Sequence, residues 1–162
     1  MRRWLVATVI YLISAASLQA KTLGLGFWIN DRLAQTAAQK QNIEKRLADQ
    51  VIELNAFFRN SHVQLQADIA VIRYVRISQS DAIAILDDMI SERNEFANLF
   101  AVAGEYGADY NIAIVDKLQL RGNPNCGRAY AVNKTQNEIA SLQRAIVAVN
   151  SACSAQTLAH EL

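Results

Sequence analysis

His160 and Glu161, followed by Leu162, are the residues of this 162-residue chain whose types and spacing point most directly to chemistry. In the pattern H-E-x-x-H, two imidazoles one helical turn apart hold Zn²⁺. The glutamate beside the first serves as general base toward the metal-bound water. The first histidine and the glutamate are present. A second histidine would fall two positions past Leu162, and the only other histidine, His62, lies far away in sequence. A His-Glu pair is common by chance, so its weight depends on whether the rest of the chain builds the scaffold such a helix needs.

That scaffold has to come from a chain of globular composition. Apolar residues make up 52% and charged residues 19%, which excludes a disordered polyelectrolyte and allows one domain with a sizeable core. The formal charge is +1, and setting aside Arg2 and Arg3 leaves 14 basic against 15 acidic residues. Such a balance, without a basic stripe, gives no electrostatic reason to expect a nucleic acid or an anionic membrane as partner.

Residues 1–20 read as a signal peptide. Arg2-Arg3 form a basic start, Trp4 to Ala16 a mostly apolar run, and Ala20 a small residue suited to cleavage before Lys21. The run falls short of the about 20 residues of a membrane span, so no span is expected after removal, with an uncleaved anchor as the alternative. The expected location is secreted, periplasmic or extracellular. Export makes a disulfide plausible, and Cys126 and Cys153 can pair within the chain in only one way; the alternative is two buried thiols.

From Lys21 onward the pattern alternates between strand and helix. Leu23 to Ile29 reads as a first strand, with Asn30-Asp31 breaking it and capping the next element. Ile43, Leu47, Val51, Leu54 and Phe58 form one apolar stripe in a helix expected over about 32–60, a core face that carries no chemistry. The period then changes to two: Val63, Leu65, Ala67, Ile69 and Val71 alternate with polar residues in a strand expected to run to Ile77. His62, at its entry, reads as structural or solvent-facing. Ser78 or Ser80 is expected to cap a helix from Ala82 to about Ala103, broken near Arg93-Asn94. Its acidic residues Asp87, Asp88, Glu92 and Glu95 read as a solvated face in preference to a metal site.

Tyr110 to Val115 reads as a buried central strand, Asp116 to Asn125 as a polar loop, and Cys126 to Val132 and Arg144 to Val149 as short strands. Asn133-Lys134-Thr135 is a glycosylation sequon, relevant only in a eukaryotic secretory host. Ser154 is expected to cap a last helix carrying His160 and Glu161. The order describes one α/β domain over 21–162. No glycine-rich phosphate loop comes after a strand, and no G-x-S-x-G is present, so nucleotide binding and serine hydrolysis find no support.

Three separated stretches resemble the reprolysin-like (adamalysin-type) metzincin zinc metallopeptidases. Gly107 to Val115, with Ala108-Asp109 leading into the apolar run, looks like that family's central strand. Cys126-Gly127-Arg128-Ala129-Tyr130 looks like its edge strand, and Thr157-Leu158-Ala159-His160-Glu161-Leu162, after Ala152-Cys153, looks like the approach to its zinc helix. The resemblance implies the upper subdomain of the metzincin fold, a five-stranded mixed sheet with two long helices and the start of the zinc helix. It implies His160 as a zinc ligand, Glu161 as the catalytic base, and peptide-bond hydrolysis in a peptide or protein substrate. Gly127, Arg128, Ala129 and Tyr130 would form an antiparallel edge strand that pairs with extended substrate. A Cys126–Cys153 bridge would tie that strand's entry to the start of the helix.

The departures are as definite. The second and third zinc ligands, the glycine between them and the methionine turn are absent from the sequence, and Leu23 leaves no room for a propeptide after the cleavage site. The expectation is an incomplete catalytic domain, a polypeptide that binds zinc weakly, cleaves nothing and tends to aggregate. A tight stoichiometric zinc titration would overturn it. The competing expectation, from a different class, is an exported non-catalytic α/β domain that holds a peptide or partner without metal.

Overall fold

The structure is a computed structural model and describes residues 21–130 and 145–161. The expected signal peptide (1–20), the sequon at Asn133, Val132 and Arg144 lie outside the described residues.

Five strands form the main sheet: β1 (Lys21–Asn30), β2 (Leu65–Val75), β3 (Tyr110–Val115), β6 (Gly127–Ala129) and β7 (Ala145–Asn150), in the order β2-β1-β3-β7-β6. All neighbours are parallel except β6 on β7, which are antiparallel. Two further short strands, β4 (Gln119–Leu120) and β5 (Asn123–Pro124), make a separate hairpin. Helices α1 (Ala37–Asn60) and α4 (Ala155–Glu161) contribute to one face, and α2 (Ala82–Ile90) and α3 (Leu99–Tyr106) to the other.

β1 is the spine because its neighbours cover both of its edges and helices cover both of its faces. Leu25, Phe27 and Ile29 pack with Ile43, Leu47, Val51 and Leu54 of α1. Trp28, on the opposite face, packs with Ile85, Leu86, Met89, Phe96 and Leu99, and its indole meets Phe96 edge-on at 6.5 Å. The α1 stripe is buried as its spacing predicts, with Phe58 half-buried at its end.

α1 begins later than the expected Arg32. Asn30 caps only a short 3₁₀ turn, Asp31–Leu33, and the α-helix starts behind Thr36. Thr36 and Gln39 form a reciprocal capping box: the Thr36 hydroxyl accepts from the Gln39 amide at 3.2 Å and the Gln39 side chain accepts from the Thr36 amide at 2.9 Å.

β2 departs from simple alternation. Its register with β1 skips one residue between Leu25↔Ile69 and Gly26↔Val71, a bulge at Ala70. The bulge swaps faces: Ala67 and Ile69 pack toward α1, as do Ile72 and Tyr74 beyond the bulge, while Val71 turns to the other layer with Ala103 and Ala108. The strand also ends at Val75; Val63 is exposed and Ile77 is buried outside it.

Tyr74 illustrates the α1 contact. Its hydroxyl donates to Glu44 of α1 at 2.8 Å. Burial, then that bond and the Glu44 charge, push its phenol up to about 12 from 10.0. The folded chain therefore keeps a proton that the unfolded chain releases, so this contribution is complete below pH 10.0 and is lost as pH rises toward about 12. Tyr74→Phe is expected to reduce the fall of stability with pH across that window, measured by denaturant melts, and Tyr130, also shifted upward, adds to the slope in the same direction.

The second helical region breaks where Arg93-Asn94 stands in sequence: α2 ends at Ile90, a 3₁₀ turn spans Asn94–Phe96, and α3 starts at Leu99. Its cap is Asp81, not Ser78 or Ser80; the Asp81 carboxylate accepts from the amides of Ile83 and Ala84 at 3.0 and 3.1 Å.

Its acidic residues are not a uniform solvated face. Asp88 is buried and accepts from Gln79 at 2.6 Å and Asn94 at 2.9 Å, with Arg93 at 3.3 Å. Glu92 accepts from the Phe100 amide at 2.9 Å and so covers an open donor at the start of α3. Glu95 accepts from the Ser78 amide at 3.3 Å. These carboxylates fasten the helix break.

Candidate functional site at the β6 edge

Among the described residues β6 is the terminal strand on one side of the sheet, and its register with β7 is Gly127↔Val149, Arg128↔Ala148 and Ala129↔Val147. The expected edge strand is thus in place and antiparallel, as the resemblance implies. Period-two geometry splits its side chains: Ala129 packs with the α1-side core, while Arg128 stands opposite Ala148, whose side chain belongs to the α2-side core. Tyr130 comes directly after the strand and its hydroxyl hydrogen-bonds the Asp87 carboxylate of α2. That bond, more than burial, raises the Tyr130 phenol; the Arg128 charge pulls the other way. The sequence alone gives no sign of Asp87 here, because 43 residues separate it from Tyr130.

The opposite edge of the sheet is partly closed. Asn55 of α1 reaches over β2, donating to the Ala67 carbonyl at 2.9 Å and accepting from the Ala67 amide at 2.7 Å. A side-chain amide that satisfies both backbone groups of an edge residue blocks strand addition at that point.

α4 is launched from the carboxyl end of β7 through a turn built on Asn150. The Asn150 carbonyl accepts from Cys153 at 3.0 Å, its side chain accepts from Ala152 at 2.9 Å, and its own amide donates to the Cys126 carbonyl at 2.8 Å. The turn thereby sets Cys153 beside Cys126, and the two form a disulfide with Cα atoms 5.6 Å apart. Gln50 of α1 donates to the Cys153 carbonyl at 3.4 Å. α4 then packs against α1, β6 and β7, with Ala159 on the core.

His160 lies in the last turn of α4 and is exposed; Glu161 is the helix's last residue. The edge-strand residues, the disulfide and the His-Glu helix therefore come together on one rim. His62 does not join them: it is exposed in the turn between α1 and β2, in left-handed backbone at φ 57°. Among the described residues, no group of three or more His, Cys, Asp or Glu could hold a metal ion. The described helices include none long and apolar enough to cross a membrane.

No known protein family matches the sequence, and no curated protein does. Solved structures do match in shape. One, described as a chaperone–substrate complex, superposes with a TM-score of 0.66 at 15% identity over 88% of this chain and 25% of that one. Another, metalloproteinase-II from Bacteroides fragilis, superposes with a TM-score of 0.52 at 15% identity over 88% of this chain and 41% of that one. At such identity the likeness shows the fold alone: a mixed α/β, metzincin-like fold with a five-stranded mixed sheet. The chain spans less than half the length of either structure.

Proposed function

We propose that this chain is the substrate-holding part of a secreted zinc-dependent metalloendopeptidase, with His160 as a zinc ligand and Glu161 as the catalytic base. One observation carries the reading: the helix ending in His160-Glu161 packs on the edge strand and is bridged to its entry by Cys126–Cys153. A peptide lying along β6 would then run past the helix that bears the imidazole.

The residues in hand do not make a catalytic zinc site. Such a site needs three protein donors and an open position, and these 162 residues contain two histidines that start from different ends of the fold. What they do on this reading is bind: the Ala129 amide and carbonyl and the Gly127 carbonyl, which alternate with Arg128 and face away from β7, pair with an extended peptide, the Gly127 amide being held by the Asn125 side chain at 3.0 Å, while the bonds of Tyr130 and Cys126 fix the strand's two ends. Export, which the residues before Lys21 imply, suits the disulfide.

A second reading is an exported non-catalytic domain that holds a peptide or protein partner by the same edge, and the likeness in fold to a structure described as a chaperone–substrate complex supports it. The coding sequence past the Leu162 codon separates the two. Histidine at the second position after Leu162, then two residues, glycine, two residues and a further His or Asp supports the peptidase. A continuation without such donors overturns it in favour of the binding domain.

A further inference from the structure

Beside β6 lies a cleft of about 480 Å³. Ile83 of α2 and Leu120 and Pro124 of the β4–β5 hairpin line it, and two arginines, Arg121 and Arg128, supply its charge. It sits on the face toward which Arg128 points, the α2 side. A strand added to β6 sends alternate side chains to the two faces of the sheet, so a residue of a bound peptide that faces the α2 side beside Arg128 would meet this cleft.

Among the residues that line it, the cleft carries positive charge alone. Among the described residues neither arginine forms an ion pair; the cationic side chains that do are Lys45, Arg76 and Arg93. Asp87 is engaged by Tyr130, just past the strand. Arg121 is held in left-handed backbone at φ 52°, ahead of Gly122 at φ 80°, in the two-residue turn of the hairpin. Asn or Gly commonly fills the first position of such a turn. The turn fixes the backbone from which the guanidinium projects, on the hairpin that lines the cleft.

We infer that this cleft selects acidic side chains, Asp or Glu, in the extended peptide held by β6. The inference rests on the peptide-holding reading of that strand. A guanidinium fork matches a carboxylate in two parallel hydrogen bonds, and the short apolar floor of Ile83, Leu120 and Pro124 fits the methylenes that carry it.

The test is fluorescence anisotropy of the full chain with three labelled extended peptides, identical except that alternate positions carry Glu, Gln or Lys. The Glu peptide binds about tenfold tighter than the Gln peptide, the scale of one charge-assisted pair. The double substitution R121E/R128E moves the preference to Lys, and R46E, on the exposed face of α1, leaves it unchanged. Equal affinity for all three peptides, or an R46E shift equal to that of R121E/R128E, overturns the acidic pocket and leaves the edge-strand reading standing. Failure of every peptide to bind overturns both.

Discussion

Replacing Cys126 and Cys153 together by serine is expected to lower the stability of the chain by about 3–4 kcal/mol. The bridge closes a loop of 27 residues, and loop-closure entropy of that length gives the figure. The loss is local before it is global. β6 has only three residues in register with β7, and α4 has seven, too few to stand alone in water. The bridge, the Asn150 turn and the Ala159 contact with the core keep them in place. Without the bridge, the amides of β6 and α4 lose exchange protection while those of β1 and β3 keep theirs. Denaturant melts of the oxidised chain and the double variant, with amide exchange on both, check the point. Coincident midpoints and equal protection would contradict it.

Gly24→Ala is expected to cost about 3 kcal/mol, at the upper end of overpacking in a closed site. A methyl carbon at Gly24 would lie 2.0 Å from the Gly107 carbonyl oxygen and 3.2 Å from the Ala108 Cα. Both are backbone atoms, and neither can swing aside. Gly107 is itself committed as the left-handed cap of α3 at φ 72°, and the Ala108 amide is bonded to the Ala103 carbonyl at 2.8 Å. The approach is close because β1 and the lead into β3 are laced together: the Gly24 amide donates to the Asp109 carboxylate at 2.8 Å, and the Asp109 amide donates to the Gly24 carbonyl at 2.8 Å. Relief by moving β1 would break that pair and disturb the strand on which both core layers are built. A melt within about 0.5 kcal/mol of the parent chain, the level of an ordinary surface substitution, would contradict this account. Gly104→Ala is the matched control, since nothing lies within 4 Å of a methyl carbon there.

Much of the fold was legible where one physical rule acted alone. Tyr110 to Val115 is the strand the sequence predicts, residue for residue, because a run buried on both faces has few other ways to satisfy its apolar side chains. The α1 stripe was legible for the same reason. The cysteines could pair in one way only, and they do.

Misses came where a distant partner decides. The face swap at Ala70 depends on how β1 matches β2, and no local pattern announces it. Asp88 looked solvated because a helical carboxylate usually is; its partners Gln79 and Asn94 arrive only with the helix break. The Thr36/Gln39 capping box was a readable signal that the longer apolar stripe overrode. At the candidate site, the placement of His160 and Glu161 on a last helix and of Gly127 to Ala129 on a strand was legible. The hairpin that brings Arg121 beside Arg128 was not, since its turn breaks the usual preference for Asn or Gly.

The central claim is that β6 and α4 serve one extended peptide. Photo-cross-linking tests it most directly: an extended peptide carrying a photoreactive residue is bound to the full chain, irradiated, and the adducts are mapped by mass spectrometry. The account predicts adducts within Gly127 to Tyr130 and on α4, with His160 among them. Adducts confined to β2, or a pattern that leaves β6 and α4 unlabelled, would contradict it.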